Sequence, residues 1–446
     1  MGKHKSDVQI VFVPTPFSLL KFLLQFFKSL FIFSFIFLTI VNSLSCSSTV
    51  RSTEQSRTVV IKKGYKIVAS EKNQIRVLLA EQQNPASFTI KGLYRLIADN
   101  EEIGQLKQGD KLNFKLNGGG LNVKINSREV DGITFLFQPI DSTSEILFSG
   151  KKYSGDFLVV FSDNSKILII NRLPMDDYLP GVLHPEMAVK SNQPERYEAL
   201  KAFTVCARTF AETKRMKGNT YYDITDDVRD QVFDGCGSYT ELDKQAVTVT
   251  SNEILKYNEK LAEVFYHSAC GGMLEDPANV FSGKVDGYLS SKKDGDEKPN
   301  CEISPTFYWK ESYSQSELMN LLKTKNLVNK KQKTIKDIEI SDVFSSGRAK
   351  ELRIIFDKAD DVTLHGPEIR SFFIRKDTKG ILRSSLFTIT KEVIKGDLKK
   401  ITLNGKGSGH GVGLCQWGAM NLSSQGKSYN EILDFYFHGC TIGKIE

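Results

Sequence analysis

The sequence predicts an α+β fold, and three observations lead there. Between residues 72 and 172, short runs of β-branched and aromatic residues are separated by Gly, Asn and Asp, the pattern of strands and turns. After residue 190 the apolar spacing lengthens to that of a helix. Further along the chain, strand-like runs return between helical ones, which is not the regular alternation of βαβ winding. At 446 residues, 40% hydrophobic and 25% charged, the chain is long enough to bury a sizeable core.

In chain order, the first segment is an address. Four lysines (Lys3, Lys5, Lys21, Lys28) precede the uncharged apolar run SLFIFSFIFLTIVNSLSC, which predicts a signal peptide or membrane anchor over residues 1–45. A polar tether, 46–71, follows. Cys46 at the end of the run is similar to a bacterial lipoprotein junction, so tethering by a lipidated Cys46 and by an uncleaved anchor both stand. Either way, the rest of the chain is exported to the cell envelope. Six further cysteines would then meet an oxidising compartment.

The remainder, 72–446, divides into a β-rich part, 72–165, and a part carrying the motifs, 166–446. IRVLLA, SFTIKGLYRLIA, GDKLNFKL, LNVKI, GITFLFQPI and GDFLVVFSDNSKILIINRL read as strands, with LNGGGLNV as a hairpin or bulge. LPMDDYLPGVLHPEM, 173–187, is too rich in Pro and Gly for a long helix and reads as a shaped turn. NQPERYEALKAFTVCARTFAETKRMKGN opens with Pro194 and closes on basic residues and Gly218, and Tyr197, Leu200, Phe203, Ala207 and Phe210 give it one buried face. AVTVTSNEILKY, AKELRIIFDK, EIRSFFIRK and SLFTITKEVI read as strands. SQSELMNLLKTKN reads as a short helix, NKKQKTIKD as an exposed insertion, and Ser428 to Glu431 as a capping box opening a last helix.

Three stretches can carry chemistry. In the first, Glu186 is a lone carboxyl beside Val182, Leu183, Pro185 and Met187, an apolar wall that would raise its pKa. Asp176 and Asp177 are turn or cap residues, or else second carboxylates, and His184 a turn residue. In the second, NGKGSGHGVGLCQWGA, glycines at every second place let one face of an extended chain lie against another backbone or a ligand, with His410 and Gln416 as the polar groups. Its spacing excludes a Walker loop and a dinucleotide fingerprint. In the third, His267, Cys270 and distant Cys301 are a metal half-site, core residues, or a Cys270–Cys301 disulfide. Arg208 is a site support or an internal ion-pair partner, and Trp309 and Trp417 stack on sugars or pack in the core. The net charge of +7 is modest and the lysines are dispersed, so no nucleic-acid partner is expected.

Taken in order, LPMDDYLPGVLHPEM, EALKAFTVCARTFA, YDITDDVRDQVFDG, HSACGG, LRSSLFTI and GKGSGHGVGLCQWGAMNLSSQGKSYNEILDFYF resemble the SpoIID/LytB family of sporulation proteins and amidase enhancers. The resemblance is dense over 165–295 and 380–440 and looser elsewhere. It implies a SpoIID-type fold with an open glycan-binding cleft. It also implies a peptidoglycan lytic transglycosylase that cuts peptide-stripped strands between N-acetylmuramic acid (MurNAc) and N-acetylglucosamine (GlcNAc), leaving 1,6-anhydro-MurNAc ends. Glu186 would be its catalytic acid, with Arg208, His410 and Gln416 binding glycan. The alternative is a non-catalytic wall-binding protein that stimulates an N-acetylmuramoyl-L-alanine amidase. The chemistry requires no cofactor. Some sporulation members hold zinc through a His and two Cys, which carries over to a structural zinc on His267, Cys270 and Cys301.

Overall fold

The computed structural model describes residues 73–187, 189–190, 192–217, 219–281 and 287–445. The apolar segment 1–45, Cys46, the tether and Gly218 lie outside the described residues. Among the described residues no helix is long and apolar enough to cross a membrane. Strands and helices are mixed without βαβ repetition, as the α+β expectation has it.

Two sheets form the first half. Gln74–Gln82 pairs antiparallel with Ile167–Pro174 and parallel with the short strand Ile224–Thr225. The sheet continues through Asp156–Phe161, Thr134–Pro139, Tyr94–Ala98 and Glu101–Leu106. A second sheet of six strands contains the Asn117–Gly120 hairpin that LNGGGLNV predicts. Alternating side chains from both sheets meet in a core of Phe88, Phe114, Phe135, Phe137 and Phe157, all buried, with rings mostly edge to face. Because the first sheet contains both 74–82 and 167–174, the parts 72–165 and 166–446 share it.

The same core extends into a helical layer. The long helix, Tyr197–Lys217, buries Leu200, Phe203, Ala207 and Ala211 on the face its spacing predicts. It packs against Met175–Met187, Glu241–Val249, Gln416–Ser424 and Tyr429–Tyr436. A second core lies under residues 309–403, where two three-stranded sheets and the helix Gln315–Thr324 bury Trp309, Leu318, Leu352, Phe373 and Ile401. Trp309 donates Nε1–H to the Gly407 carbonyl at 2.8 Å and is core, not a sugar platform.

Four local expectations are corrected. The stretch 175–187 is a helix with Pro180 and Pro185 inside it. Burial of Met175, Tyr178, Leu179, Val182 and Leu183 outweighs the proline penalty of about 3 kcal/mol each. Pro185 cannot donate to the Gly181 carbonyl one turn back, and Asp234 N–H takes its place at 3.0 Å. AVTVT closes a helix instead of opening a strand, because Thr240 and Asp243 form a capping box ahead of it. EIRSFF is helical over Pro367–Phe372, with Pro367 in the first turn. Finally, the exposed NKKQK run gives way to a strand from Ile335.

Candidate active site

Glu186 lies one residue from the C-terminal end of the Pro-containing helix. Its Oε1 accepts a hydrogen bond from Val232 N–H at 3.2 Å, and Tyr266 O–H points at the same oxygen from 3.5 Å. Oε2 accepts from Gln416 Nε2 at 3.1 Å. All three neighbours donate, which favours the carboxylate, yet burial outweighs them and raises the carboxyl above the ordinary glutamate range. The loop that brings Val232 is fastened twice: Asp234 N–H fills the carbonyl Pro185 leaves open, and Phe233 packs on Tyr178 at 4.9 Å. Gly181 permits this approach, since a Cβ there would stand 2.5 Å from the Gly235 carbonyl oxygen. Pro185 thus leaves an opening in a helix into which the 232–235 loop docks.

Gln416 arrives from the other end of the chain. Tyr266–His267 pairs in parallel with Leu414–Cys415, and Gln416 begins the next helix, 5% exposed. The alternate glycines lie flat on FYHSAC, as their spacing predicts. A Cβ on Gly409 (φ +114°) would stand 2.6 Å from His267 Cβ, and one on Gly413 (φ +71°) 2.2 Å from the Phe265 carbonyl oxygen. The glycine segment is therefore the means by which Gln416 reaches Glu186.

Glu186 opens into a cleft of ≈ 940 Å³ whose lining includes Phe210, Phe265, Tyr266, Phe281, His410 and Gln416. Cations from both cores border it. Lys214 pairs with Asp230 at 2.5 Å, Lys217 with Glu263, Arg229 with Asp227, and Arg375 and Arg383 with Asp377. Arg370 also lines the cleft and has no carboxylate in ion-pair reach among the described residues; only its Nε is engaged, donating to the Leu382 carbonyl at 2.7 Å. Burial lowers its pKa to about 10, so it is cationic at neutral pH.

The other expected residues divide. His410 lines the cleft, but Val412 N–H donates to its Nδ1 at 3.1 Å and the ring also bonds the Tyr266 backbone, so its ring nitrogens hold the wall. Burial, with His267 beside it, keeps His410 neutral. Arg208 is corrected: it is 1% exposed and does not line the cleft. Its Nη1 donates to Thr250 O at 2.8 Å and Glu253 O at 3.2 Å, and its Nη2 to Asp176 Oδ1 at 3.2 Å. It is the internal ion-pair partner, because its helix turns that face to the protein's interior. Asp176 and Asp177 occupy the first turn of the 175–187 helix, far from Glu186 at its other end. His184 faces Asp243 at 3.6 Å.

Cys270 and Cys301 come together, with sulfurs 3.4 Å apart. His267 does not belong to the same cluster of ligand atoms. Its Nδ1 faces the Val412 carbonyl at 3.0 Å, which places the proton there and leaves Nε2 a buried acceptor without a partner. Residue types alone passed over Tyr266, Val232 and Asp230. Tyr266 sits beside His267 in a stretch already singled out, whereas a backbone amide such as that of Val232 has no signature in a sequence.

A model of the stage II sporulation protein (SpoIID) family matches residues 163–257, and a domain of unknown function, DUF8618, matches 278–413. The chain is 31% identical over 377 residues to an uncharacterized protein of Brachyspira hyodysenteriae, covering 84% of this chain and 94% of that one. It is 29% identical to the amidase enhancer of Bacillus subtilis over 76% of this chain and 50% of that protein, about half its length. With the stage II sporulation protein D of B. subtilis the identity is 26%, over 62% of this chain and 76% of the other. The SpoIID match contains Glu186 and the long helix, and the DUF8618 match contains the second core.

Proposed function

The chain belongs to the SpoIID/LytB family, an envelope family with cell-wall functions, and from that premise we propose that it is a peptidoglycan lytic transglycosylase acting on peptide-stripped glycan. The observation that carries the proposal is a single carboxyl without a cationic partner among the described residues, raised by burial and held by donors at the wall of a large cleft. Protonated Glu186 gives its proton to the oxygen that leaves with GlcNAc. Positive charge then develops at the anomeric carbon of MurNAc. The 6-hydroxyl of the same MurNAc attacks that carbon and returns its proton to the Glu186 carboxylate, which Gln416, Val232 N–H and Tyr266 stabilise in the interval. One carboxyl serves as acid and then as base, and no water enters. The other carboxylates lining the cleft, Asp230 and Glu263, are each paired with a lysine.

The test is mass spectrometry of denuded strands incubated with the full-length protein in mild detergent, wild type beside Glu186→Gln. Anhydro-MurNAc products from wild type alone, with the variant at least about 10³-fold slower, are expected. Reducing-end products would make it a hydrolase and turn attention to Asp230. The relation to the B. subtilis amidase enhancer favours a second reading, stimulation of an amidase through glycan binding. No cleavage by either protein, with an amidase stimulated equally by both, would establish that reading.

A further inference from the structure

We propose that Cys270, Asp294, Cys301 and Cys415 form a closed structural site for a thiophilic divalent cation, zinc, and that His267 is not a ligand. One ligand atom from each of the four residues lies within 4.8 Å of every other, and all four residues are buried. The Cys270–Cys301 sulfur separation of 3.4 Å is well beyond a disulfide bond of about 2.05 Å. It lies close to the edge, roughly 3.8 Å, of a tetrahedron with zinc–sulfur bonds of about 2.3 Å. Three sulfurs and one carboxylate are a donor set for zinc, not for magnesium or calcium.

The surroundings are built for thiolates. Gly272 N–H points at Cys270 Sγ from 3.3 Å, and Cys270 N–H at Cys415 Sγ from 3.3 Å. Amides aimed at sulfur stabilise the charged form, the one that binds metal. The turn that presents the Gly272 amide needs φ of +78° at Gly271 and +102° at Gly272. Asp294 Oδ2 accepts from Cys301 N–H at 3.1 Å and lies 3.1 Å from Cys270 Sγ. Its Oδ1 accepts from buried Tyr436 O–H at 2.8 Å, an outer hydrogen bond that orients a ligating carboxylate. The Arg348 guanidinium, on the Cys270 carbonyl, offsets part of the negative charge.

The ligands come from three separated pieces of chain: the segment that follows the Tyr266–His267 strand, the 294–301 loop, and the residue that caps the helix beginning at Gln416. A cation there fastens the residue before Gln416 to the strand after Tyr266, and so fixes two of the donors to Glu186. Four protein ligands leave no open position, which makes the role structural.

The test is metal analysis and native mass spectrometry of the full-length protein in mild detergent, with peptide mapping of its cysteines. One zinc per chain is expected. Replacement by Co²⁺ should give thiolate charge-transfer absorption and the strong visible bands of tetrahedral geometry. Cys270, Cys301 and Cys415 should resist alkylation until a chelator is added, while His267→Ala keeps full stoichiometry. A Cys270–Cys301 disulfide in metal-free folded protein would overturn the proposal, as would zinc lost with His267→Ala but retained by Cys415→Ser. The wild-type measurements decide even if a cysteine variant fails to fold, and none depends on glycan cleavage.

Discussion

At the residue scale, Glu186 is set by a contest between burial, which raises its pKa, and three donors, which lower it. In the proposed reaction it would act protonated, so kcat/KM should fall as pH rises through its pKa, on a limb above the range of a free glutamate. Gln416 is the first of the lowering influences. Gln416→Met should move that limb to higher pH while reducing kcat about 10–100-fold through lost orientation and charge stabilisation. A limb that stays in place would show that Glu186 is not the titrating acid. Arg370 supplies a cation in the same cleft, with most of its N–H groups uncommitted. Removing the stem peptide from MurNAc exposes a lactyl carboxylate, and such an anion suits that guanidinium. Arg370→Ala should weaken binding of denuded strands about tenfold, the effect of one charged hydrogen bond. Strands with esterified lactyl groups should bind wild type and variant alike; a difference between them would place the arginine elsewhere on the substrate.

At the element scale, the two halves of the chain differ in how much the sequence discloses. The long helix was legible because Leu200, Phe203 and Ala207 face one core at the helical period. The first-half strands were legible by alternation, and so was the glycine segment as a flat surface. The 175–187 helix was not, since the carbonyl its Pro185 leaves open is filled by a loop some fifty residues away. That Asp234 N–H would stand in for Pro185 is tertiary information. Glu186 stands out in the sequence as a carboxyl among apolar neighbours, but the cleft beside it is lined by Phe210, Val232 and Tyr266 and not by Val182, Leu183, Pro185 or Met187. Arg208 is misplaced because the chemistry of an arginine does not tell inside from outside. Its position leads to a prediction about the element. Arg208→Met leaves the Thr250, Glu253 and Val247 carbonyls short of a donor in the interior. It should cost roughly 2–3 kcal/mol in chemical denaturation, with glycan affinity of the folded fraction unchanged. A weaker affinity without loss of stability would return Arg208 to the cleft.

At the scale of the whole molecule, the cleft exists because two hydrophobic cores are joined along one seam. The larger core unites both sheets of the first half with the helical layer, and the smaller lies under 309–403. Between them, Arg348 leaves the smaller core, 2% exposed, and donates to the carbonyls of Cys270 and Met273. Gly411 lies against its guanidinium so closely that a Cβ would stand 2.3 Å from Nη2. Arg348 thus ties the smaller core to the strand and glycine segment that carry Tyr266 and Gln416, alongside Trp309 on the Gly407 carbonyl and the Gly409 N–H on the Arg383 carbonyl. Removing it leaves two buried carbonyls unpaired and an opening beneath Gly411, a loss of about 2–4 kcal/mol placed on the seam and not inside either core. Wild type should therefore melt in one calorimetric transition. Arg348→Met should melt in two, with residues 309–403 going first and becoming open to proteolysis while the β-rich half keeps its amide protection. Glycan cleavage should disappear with the first transition, because Arg370 and the far wall of the cleft belong to the lobe that leaves. A single transition lowered as a whole would mean that the cores are coupled through the full seam and that Arg348 is one tie among many.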